Sequence, residues 1–265
     1  MNIAVIGRGL IGGSLEKAAR RAGHSAAVFR GRAPSPDVSG FDVVFVALPH
    51  SAIVPAVRAL AAGGTLKDGA AVVDICGVKR TICEELARVA DGKSWRFVGG
   101  HPMAGKEKTG YENSCEDLFD GASMILTPYP DTPPETIAAL ESLFADMGFA
   151  RTVKTTPERH DAIIAFTSQL CHVLSNAYVR EPLAAEHDGF SAGSFRDLSR
   201  VGFPDPETWT ELFIANSDAL LAVLDRYAAR LDVFRKALRE KDAALVKAEL
   251  SAAKPQTNET QGGKQ

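Results

Sequence analysis

A glycine-rich turn lies between a short apolar run and a helix-forming stretch at the start of the chain. The sequence begins MNIAVIGRGLIGGSLEKAAR, and Gly7, Gly9 and Gly12 have the spacing GxGxxG. In this context the first glycine permits a tight turn, the second lets a pyrophosphate approach the backbone, and the third lets the helix pack on the strand. The N–H groups at the helix start would face the phosphate charge. The pattern predicts a strand, turn and helix that bind a dinucleotide, with Leu10 and Ile11 among the cofactor-binding residues.

Short apolar runs alternate with helix-forming stretches through the first part of the chain. The runs are IAVI, AAVF, DVVFVALP and AAVVDI, and each is apolar almost throughout. This is the βαβ pattern of a parallel sheet whose strands are buried on both faces. Further strands are predicted around residues 97–99 and 124–126, with an edge strand at 150–153. We therefore predict an α/β domain with a Rossmann-type parallel sheet over residues 1–153.

A change of pattern after that point predicts a second domain. Strand-like runs become rare, and segments of helical period are broken at Pro182, Gly189, Gly193 and Pro204. We predict an all-α domain over residues 154–253. The remaining residues, 254–265, read KPQTNETQGGKQ and are predicted to be disordered because they are polar and contain glycine.

One helical segment carries a regular apolar seam. Between Glu207 and Ala253 the chain lacks glycine and proline, and apolar side chains recur with 4-3-4-3-4 spacing at Leu220, Leu224, Tyr227, Leu231, Phe234 and Leu238. Such a seam favours packing of helix against helix. Two interpretations remain open, a helix that faces the core of its own chain and a dimer interface. About two to three heptads are too few to decide between them.

Composition and charge exclude several classes of protein. The chain has 265 residues, 45% of them hydrophobic, and a formal net charge of -3. It can bury a substantial core, and it lacks the basic excess of a nucleic-acid binder. Since no apolar run approaches the ~18 residues of a membrane span and no signal peptide is evident, we expect a cytoplasmic protein. The cysteines lack CxxC spacing, which indicates reduced thiols and neither a zinc site nor disulfides; they are Cys76, Cys83, Cys115 and Cys171.

The end of the second predicted strand bears on the choice of dinucleotide. NAD-binding proteins usually carry an acidic residue there for the ribose 2′-hydroxyl, whereas this chain reads VFRGR. A guanidinium can bind a 2′-phosphate through two hydrogen bonds, so Arg30 and Arg32 favour NADP over NAD. The alternative is that both are solvated loop arginines. Leu48 and Pro49, after the third strand, would complete the nucleotide crevice.

One histidine lies in a loop position typical of catalytic groups. His101 follows a predicted strand in the segment FVGGHPMAGKEKTGYENSCEDLF. Beside a nicotinamide it could take the proton of an alcohol while hydride leaves the carbon, since its pKa lies near working pH. The alternative is a histidine that only hydrogen-bonds its own loop.

Polar side chains interrupt an otherwise apolar helix in the second domain. The segment ERHDAIIAFTSQLCHVLSNAY is predicted as one helix. At about 100° per residue, this helix places Asp161, Ala165, Ser168 and His172 on one face, with Gln169 beside them. Buried polar groups of this kind pair with core partners or with a polar ligand.

Two arginines follow one helical turn apart. In GFSAGSFRDLSRVGFPDPETW, Arg196 and Arg200 flank Asp197. One arginine could pair with Asp197 while the other holds a substrate carboxylate in a bidentate contact. A purely structural cluster of ion pairs is the competing interpretation.

These segments together resemble the prephenate and arogenate dehydrogenases of tyrosine biosynthesis. The motifs that carry the resemblance, in family order from Met1 to about Leu250, are GRGLIGGS, DICGVK, GGHPMAGKEKTGYE, ERHDAIIAFTSQLCH and FRDLSRVGFPDPETW. The glycine loop is common to many dehydrogenases, whereas the HPMAG and FRDLSR segments are specific. The resemblance implies a homodimer in which a nucleotide-binding domain is followed by a helical substrate and dimerisation domain.

The resemblance also implies a reaction on a cyclohexadiene that bears a ring carboxylate and, on the opposite carbon, a hydroxyl. Hydride leaves that carbon for the nicotinamide, the ring carboxylate departs as carbon dioxide, and the ring becomes a phenol. We expect NADP-dependent conversion of prephenate to 4-hydroxyphenylpyruvate. Conversion of arogenate to tyrosine is the alternative within the family, and a non-catalytic NADP-sensing regulator is the alternative from another class.

Site residues follow from the resemblance, position by position. His101, in HPMAG, would bond the ring hydroxyl and assist its deprotonation. Arg200, which ends FRDLSR, would hold a substrate carboxylate. His172 would line the substrate pocket, Glu107 would gate or orient the substrate, and Trp209 would lie near it.

Two positions depart from the family pattern. Many members have a serine at the position of Gly77, so a water molecule or Thr109 would have to replace its hydroxyl, or catalysis would depend more on His101. Many members have a histidine at the position of Gln169, counted here with the substrate pocket; glutamine can donate a hydrogen bond but cannot carry charge. Lys79 of DICGVK matches the family's lysine, and its role is left open.

Overall fold

A seven-stranded sheet forms the centre of the N-terminal part of the chain. The computed structural model describes residues 1–31, 35–106 and 108–253, and the strands counted here lie within them. They are β1 (Asn2–Ile6), β2 (Ser25–Phe29), β3 (Val43–Val46), β4 (Ala71–Asp74), β5 (Arg96–Pro102), β6 (Ser123–Thr127) and β7 (Arg151–Lys154). Their order across the sheet is β2-β1-β3-β4-β5-β6-β7.

Some sequence predictions fall on residues outside these ranges. Arg32, proposed as a ligand of the 2′-phosphate, and Glu107, proposed beside the substrate, are among them, as is the tail 254–265. All three stay predictions.

Helices cover both faces of the sheet, as the βαβ pattern predicts. They are α1 (Leu10–Arg21), α2 (His50–Ala62), α3 (Arg80–Ala90) and α4 (Pro134–Asp146). Helices α1 and α4 pack on one face, around the buried Leu15, Phe45 and Phe144. Helices α2 and α3 pack on the other face, around Ile53 and Leu86. Each large apolar side chain buried in this way contributes ~1.5–3 kcal/mol, so the two cores fix the strand ends that carry the site.

The apolar runs predicted a parallel sheet, but the sheet is not parallel throughout. Pairing is parallel from β2 to β5, but β6 runs antiparallel to β5 and parallel to the edge strand β7. The reason lies in the connection from β5 to β6, whose described residues, 103–106 and 108–122, contain a short 3-10 turn, Tyr111–Asn113, and no crossover helix. Without a crossover the next strand returns in the opposite direction. The edge strand predicted at 150–153 is confirmed as β7.

After β7 the described chain contains helices and no strand, so the predicted class, α/β followed by all-α, is confirmed. They are α5 (Pro157–Ile164), α6 (Leu170–Val179), α7 (Gly193–Ser199), α8 (Pro206–Ala215), α9 (Ser217–Glu240) and α10 (Ala243–Ala252). Local capping sets their starts. Thr156 accepts a hydrogen bond from the N–H of Arg159 at 3.2 Å, and Asp205 accepts one from the N–H of Thr208 at 2.9 Å.

A π-helical turn joins α5 to α6 in one continuous helix. The turn spans Ala165–Gln169 and shifts the phase of the faces that follow it. Asp161 and Gln169 are therefore buried, whereas Ser168 is only partly buried. The prediction of one uniform α-helix was wrong at this point, because the turn over Ala165–Gln169 is π-helical. π turns often mark functional sites, and this one lies between Asp161 and His172.

The chain divides into two compact units, Met1–Leu220 and a second that begins at Leu221. In the second unit α9 ends at a turn where Lys241 has a φ of 54°. Leu231 and Leu238 of the apolar seam are exposed, with 46% and 67% of their surface accessible. The domain boundary predicted near residue 153 and the two interpretations of the seam stay predictions.

One helix of the described chain is long and apolar enough to span a membrane, although the sequence analysis had expected none. It is Pro157–Val179, whose most apolar window has a mean hydropathy of 1.2 and is 28% buried. Length and composition alone are weak grounds, because core helices of soluble proteins meet the same criterion. This helix also carries buried His160, Asp161 and Gln169, whose polar groups are hydrogen-bonded to other elements.

Candidate active site

The glycine loop after β1 has the shape that a dinucleotide requires. Gly7 has a φ of 121°, and a β-carbon there would collide with the carbonyl oxygen of Ala47. A β-carbon on Gly12 would collide in turn with the carbonyl oxygen of Gly7, so the close packing of α1 on β1 depends on both glycines. A β-carbon on Gly9 would meet nothing within 4 Å. The loop is therefore closed on its inner side and open at Gly9, where a pyrophosphate would approach.

The start of α1 completes this cradle. Gly9 is its N-cap residue, and within the described chain no side chain caps the helix start. Helix α1 begins with Leu10, and Ile11 packs against the core below. Strand β1 lies between β2 and β3, which is the point where the strand order reverses and ligands bind in open α/β sheets. Uncapped N–H groups at that point fit the negative charge of a dinucleotide.

The predicted crevice residues lie around the same edge. Phe29 of β2 pairs in register with Ile6 of β1, so Arg30 emerges next to the glycine loop and is exposed. Leu48 packs where a β-carbon of Gly31 would lie, and Pro49 is the N-cap residue of α2. The structure thus brings the described cofactor-binding candidates to one edge of the sheet.

Arg8, inside the glycine motif, has a contact that the sequence analysis missed. Its guanidinium lies 4.5 Å from the centre of the Tyr111 ring, and the ammonium of Lys17 lies 5.0 Å from the same ring. The Tyr111 hydroxyl donates to Glu16 at 2.8 Å, and this bond raises the pKa of the tyrosine. Arg8 occupies a variable position of GxGxxG, so spacing alone gave no signal for it.

His101 lies at the carboxyl end of β5, near the glycine loop's edge of the sheet. Its Nδ1 lies 2.8 Å from Nε2 of His160. A β-carbon on Gly77 would lie 3.7 Å from Nε2 and from Cε1 of His101. The ring is therefore held through Nδ1 and presents Nε2 toward the small residue at Gly77.

His160 is in turn held by its neighbour. His160 Nδ1 lies 2.7 Å from Oδ1 of Asp161. The Asp161 carboxylate also accepts hydrogen bonds from the N–H groups of Lys79, at 2.8 Å, and Arg80, at 2.9 Å, at the start of α3. His160 was missed in the sequence. A histidine directly before Asp161 was the available indication, but adjacent residues of a helix point in different directions, so helical periodicity does not group them.

Beneath His101 lies a buried ion pair. The ammonium of Lys79 contacts Asp74, and both side chains are fully buried. Lys79 also donates to the carbonyl of Gly100 at 2.7 Å, beside His101 on β5. The pKa of His101 is lowered well below its ordinary value, mainly because burial penalises the charged ring and also because His160 and Lys79 lie nearby. Lys79, whose role the sequence left open, thus joins β4 to β5 and keeps positive charge near His101.

Gln169 lies in the interior behind this site. Its amide donates to the carbonyl of Leu212 at 3.1 Å and accepts from the amide of Asn216 at 2.8 Å. Asn216 also donates to the carbonyl of Asp161 at 3.0 Å. Gln169 is 2% exposed. Both of its polar functions are used to join α8 to the helix that carries Asp161, so its predicted place in the substrate pocket stays a prediction.

The other predicted substrate residues form a second group. His172 lies 3.1 Å from the carbonyl of Val201, and its ring centre lies 3.6 Å from that of Trp209. Arg200, next to Val201, follows the last turn of α7 and is exposed. Leu212, one turn after Trp209 on α8, would touch a β-carbon on Gly77 at 3.7 Å. Helix α8 therefore connects this group with the surroundings of His101.

Comparison with known proteins agrees with this geometry. Residues 6–154 match the family model described as prephenate dehydrogenase, nucleotide-binding domain, and residues 156–251 match that described as prephenate dehydrogenase, dimerization domain. A cyclohexadienyl dehydrogenase of Zymomonas mobilis is 31% identical over 207 residues, which cover 76% of this chain and 69% of that protein. A prephenate dehydrogenase of Bacillus subtilis is 28% identical over 205 residues, or 76% of this chain. The match spans about half of that protein, 54%.

Solved structures give the same result for the fold. The crystal structure of Synechocystis arogenate dehydrogenase superposes with a TM-score of 0.79 at 28% identity, covering 95% of this chain and 96% of that one. Prephenate dehydrogenase from A. aeolicus, in complex with hydroxyphenyl propionate and NAD+, also gives a TM-score of 0.79, at 27% identity and 95% coverage of both chains. The resemblance inferred from the motifs is thereby confirmed. The chain belongs to the prephenate dehydrogenase family, a family of NAD(P)-dependent oxidoreductases.

Proposed function

We propose that this chain is a prephenate dehydrogenase that prefers NADP, acts as a homodimer in the cytoplasm and converts prephenate to 4-hydroxyphenylpyruvate. The observation that carries the proposal is the position of His101. It lies at the carboxyl edge of the sheet, as the glycine loop does, with Nδ1 held by His160 and Nε2 directed toward Gly77. A bound nicotinamide would supply the hydride acceptor.

The protein's own residues orient the substrate and move its proton. Nε2 of His101 would accept the hydrogen bond of the ring hydroxyl and take its proton as the carbon is oxidised. Arg200 would hold a carboxylate of the substrate, since a guanidinium binds a carboxylate through two parallel hydrogen bonds. The rings of His172 and Trp209, whose centres lie 3.6 Å apart and whose planes are tilted by 40°, would give the pocket an aromatic wall for the cyclohexadiene. Positioning of this kind accounts for a large part of the rate enhancement expected of such an enzyme.

The preference for NADP rests on charge at the end of β2. Arg30 stands where NAD-binding proteins usually carry an acidic residue, and it is exposed beside the glycine loop. A carboxylate would repel a 2′-phosphate, whereas Arg30 attracts it. The A. aeolicus relative was solved with NAD+, which supports a nicotinamide dinucleotide of either kind.

Arogenate is the second candidate substrate. Two relatives bear on it, the arogenate dehydrogenase of Synechocystis and the cyclohexadienyl dehydrogenase of Zymomonas mobilis. Prephenate and arogenate differ at the side chain, where a keto acid is replaced by an amino acid with an additional ammonium group. The choice between them therefore depends on charge near the side-chain end of the pocket, and the sequence does not identify the residue that decides it.

An initial-rate assay of four combinations tests the proposal. Purified protein is given prephenate or arogenate with NADP or NAD, and the reduced nicotinamide is followed by absorbance. Turnover of prephenate with a higher kcat/KM for NADP is the expected result. His101→Asn should lower kcat by about a hundredfold or more while nucleotide affinity is kept, since general acid–base groups contribute about that much. Nucleotide binding without turnover in any of the four combinations would overturn the proposed dehydrogenase activity and favour a non-catalytic regulator.

A further inference from the structure

Three acid–base groups form a hydrogen-bonded line that leads from the candidate site into the interior. His101 Nδ1 lies 2.8 Å from His160 Nε2, and His160 Nδ1 lies 2.7 Å from Asp161 Oδ1. His160 is 1% exposed and Asp161 is 3% exposed, so bulk water does not compete for these bonds. The line ends at the start of α3, where two backbone N–H groups bind the carboxylate of Asp161.

The hydrogen bonds determine which nitrogen atoms carry protons. An ionised carboxylate can only accept, so His160 must donate to Asp161 through Nδ1. A neutral His160 with its proton on Nδ1 has a bare Nε2, which can only accept. His101 must then carry its proton on Nδ1 and donate it to His160. The Nε2 atom of His101, directed toward Gly77, is left without a proton and is ready to act as a base.

We propose that His160 and Asp161 are positioning residues that form a proton relay with His101, fixing its tautomer and receiving the proton that it takes from the substrate. The proposal rests on the proposed function and deepens it. A positive charge on His101 is disfavoured because the ring is largely desolvated and Lys79 lies nearby. The same charge on His160 faces the carboxylate of Asp161 directly, which stabilises it. His160 thus has a carboxylate partner, at 2.7 Å, on the side away from His101.

The proton transfers of the relay return both histidines to their starting protonation states over one turnover. As the carbon is oxidised, the hydroxyl proton moves to Nε2 of His101, the Nδ1 proton of His101 moves to Nε2 of His160, and hydride goes to the nicotinamide. When the bond to the ring carboxylate breaks, its electron pair passes through the ring to the carbonyl oxygen. That oxygen takes the proton back from His101, and His160 returns its proton to His101 Nδ1. The products are a phenol, carbon dioxide and reduced nicotinamide, with both histidines as they began.

The tautomers provide a test that needs no turnover. Protein labelled with nitrogen-15 at its histidines is studied by NMR without substrate, and each ring is assigned from single His→Gln variants. The expected spectrum shows His101 with a protonated Nδ1 and a bare Nε2, and Asp161→Asn should shift His101 toward the other tautomer. His24→Gln, remote from the site, is the control and should leave the His101 signals in place. A His101 ring with its proton on Nε2 in the wild-type protein would overturn the relay.

Kinetics in mixtures of light and heavy water give the second test. Gln at position 160 can accept the hydrogen bond of His101 but cannot take its proton. His160→Gln should therefore lower the single-turnover rate by about a hundredfold, with the KM for nucleotide unchanged. A plot of the wild-type rate against the deuterium fraction of the solvent should be curved, because two protons move together. The same plot for the variant should be linear, because one proton moves. Equal rates and equal curves in both proteins would refute proton transfer to His160.

The two tests also separate this inference from the proposed function. Absence of turnover on prephenate and arogenate would remove the proposed function, and the tautomer of His101 would still decide whether Asp161 acts through His160. Turnover by a protein whose His101 carries its proton on Nε2 would support the proposed dehydrogenase activity and refute the relay. Thermal unfolding of Asp161→Asn and His160→Gln, with and without nucleotide, establishes that the variants are folded before either result is interpreted.

Discussion

A β-carbon on Gly77 would lie 3.7 Å from Nε2 of His101, at ordinary contact distance. Gly77 therefore leaves room at Nε2, the nitrogen proposed as the base, and the position is not closed by packing. Gly77→Ser should fold as the wild type does, with a free energy of unfolding within about 0.5 kcal/mol. Gly12→Ala is the matched contrast, because its β-carbon would collide with the backbone oxygen of Gly7. Urea unfolding of both variants tests this, and equal losses of stability would contradict it.

Gly9→Ala separates folding from cofactor binding. Its β-carbon would meet nothing within 4 Å, so the fold should be kept. The added methyl group would occupy the space through which a pyrophosphate approaches the backbone. We expect nucleotide affinity to fall about tenfold or more, which is ~1.4 kcal/mol, with little change in urea unfolding. Titration calorimetry with NADP measures this, and unchanged affinity would mean that the pyrophosphate lies elsewhere.

Arg30→Ala should change the choice of cofactor more than the rate of chemistry. The side chain is exposed beside the glycine loop and would act only on a 2′-phosphate. The KM for NADP should rise about tenfold, the KM for NAD should stay within about twofold, and kcat should change little. Arg58→Ala, which removes a surface arginine paired with Glu85, is the control. If both KM values rise equally, Arg30 does not bind the 2′-phosphate.

The lowered pKa of His101 makes stability depend on pH. Burial, His160 and Lys79 hold that pKa well below 6.5, the ordinary value that applies in the unfolded chain. Below pH 6.5 the unfolded state therefore binds a proton that the folded state refuses, and the free energy of unfolding falls as pH falls. This contribution is fully present above pH 6.5 and changes by at most about 1.4 kcal/mol per pH unit below it.

Urea unfolding between about pH 5 and pH 8 checks the sign. Carboxylates and His50, whose pKa is also lowered by burial, add their own dependence, so the comparison is with His101→Asn. The variant should lose less stability than the wild type as pH falls. Parallel curves for the two proteins would show that His101 titrates alike in the folded and unfolded states.

The sequence predicted those parts of the molecule that depend on local pattern. The glycine loop and the buried strands each depend on a short stretch of sequence, and the structure confirms them, as it confirms a sheet followed by helices. The domain boundary near residue 153 stays a prediction. The direction of β6 was not predicted, because it depends on the absence of a crossover helix from the described residues between β5 and β6. The phase of the long helix was also missed, since the π turn at Ala165–Gln169 leaves no clear mark in composition.

The candidate site shows the same division. His101 was identified because its family motif is specific and because a histidine near the end of a predicted strand is conspicuous. The structure extends β5 through Pro102, so His101 lies at the end of the strand and not in the loop that was predicted. Its partner His160 comes from a distant segment, and only the packing of α5 against the start of α3 brings the two rings to 2.8 Å between nitrogens. Gln169 and Asn216 are similar, since each bonds to a carbonyl that periodicity cannot place. Contacts of this kind require the tertiary structure.

The apolar seam of α9 gives a prediction about assembly. Leu231 and Leu238 remain exposed in the single chain, so a second copy could bury them, and residues 156–251 match a model described as a dimerization domain. In a twofold dimer each substitution counts twice. Since a buried leucine contributes ~1.5–3 kcal/mol, Leu231→Glu should weaken the dimer by about a hundredfold or more. Lys236→Glu, an exposed charge reversal on the same helix, should leave it intact. Sedimentation measurements at several concentrations distinguish the two, and a dimer that survives Leu231→Glu would place the interface away from this seam.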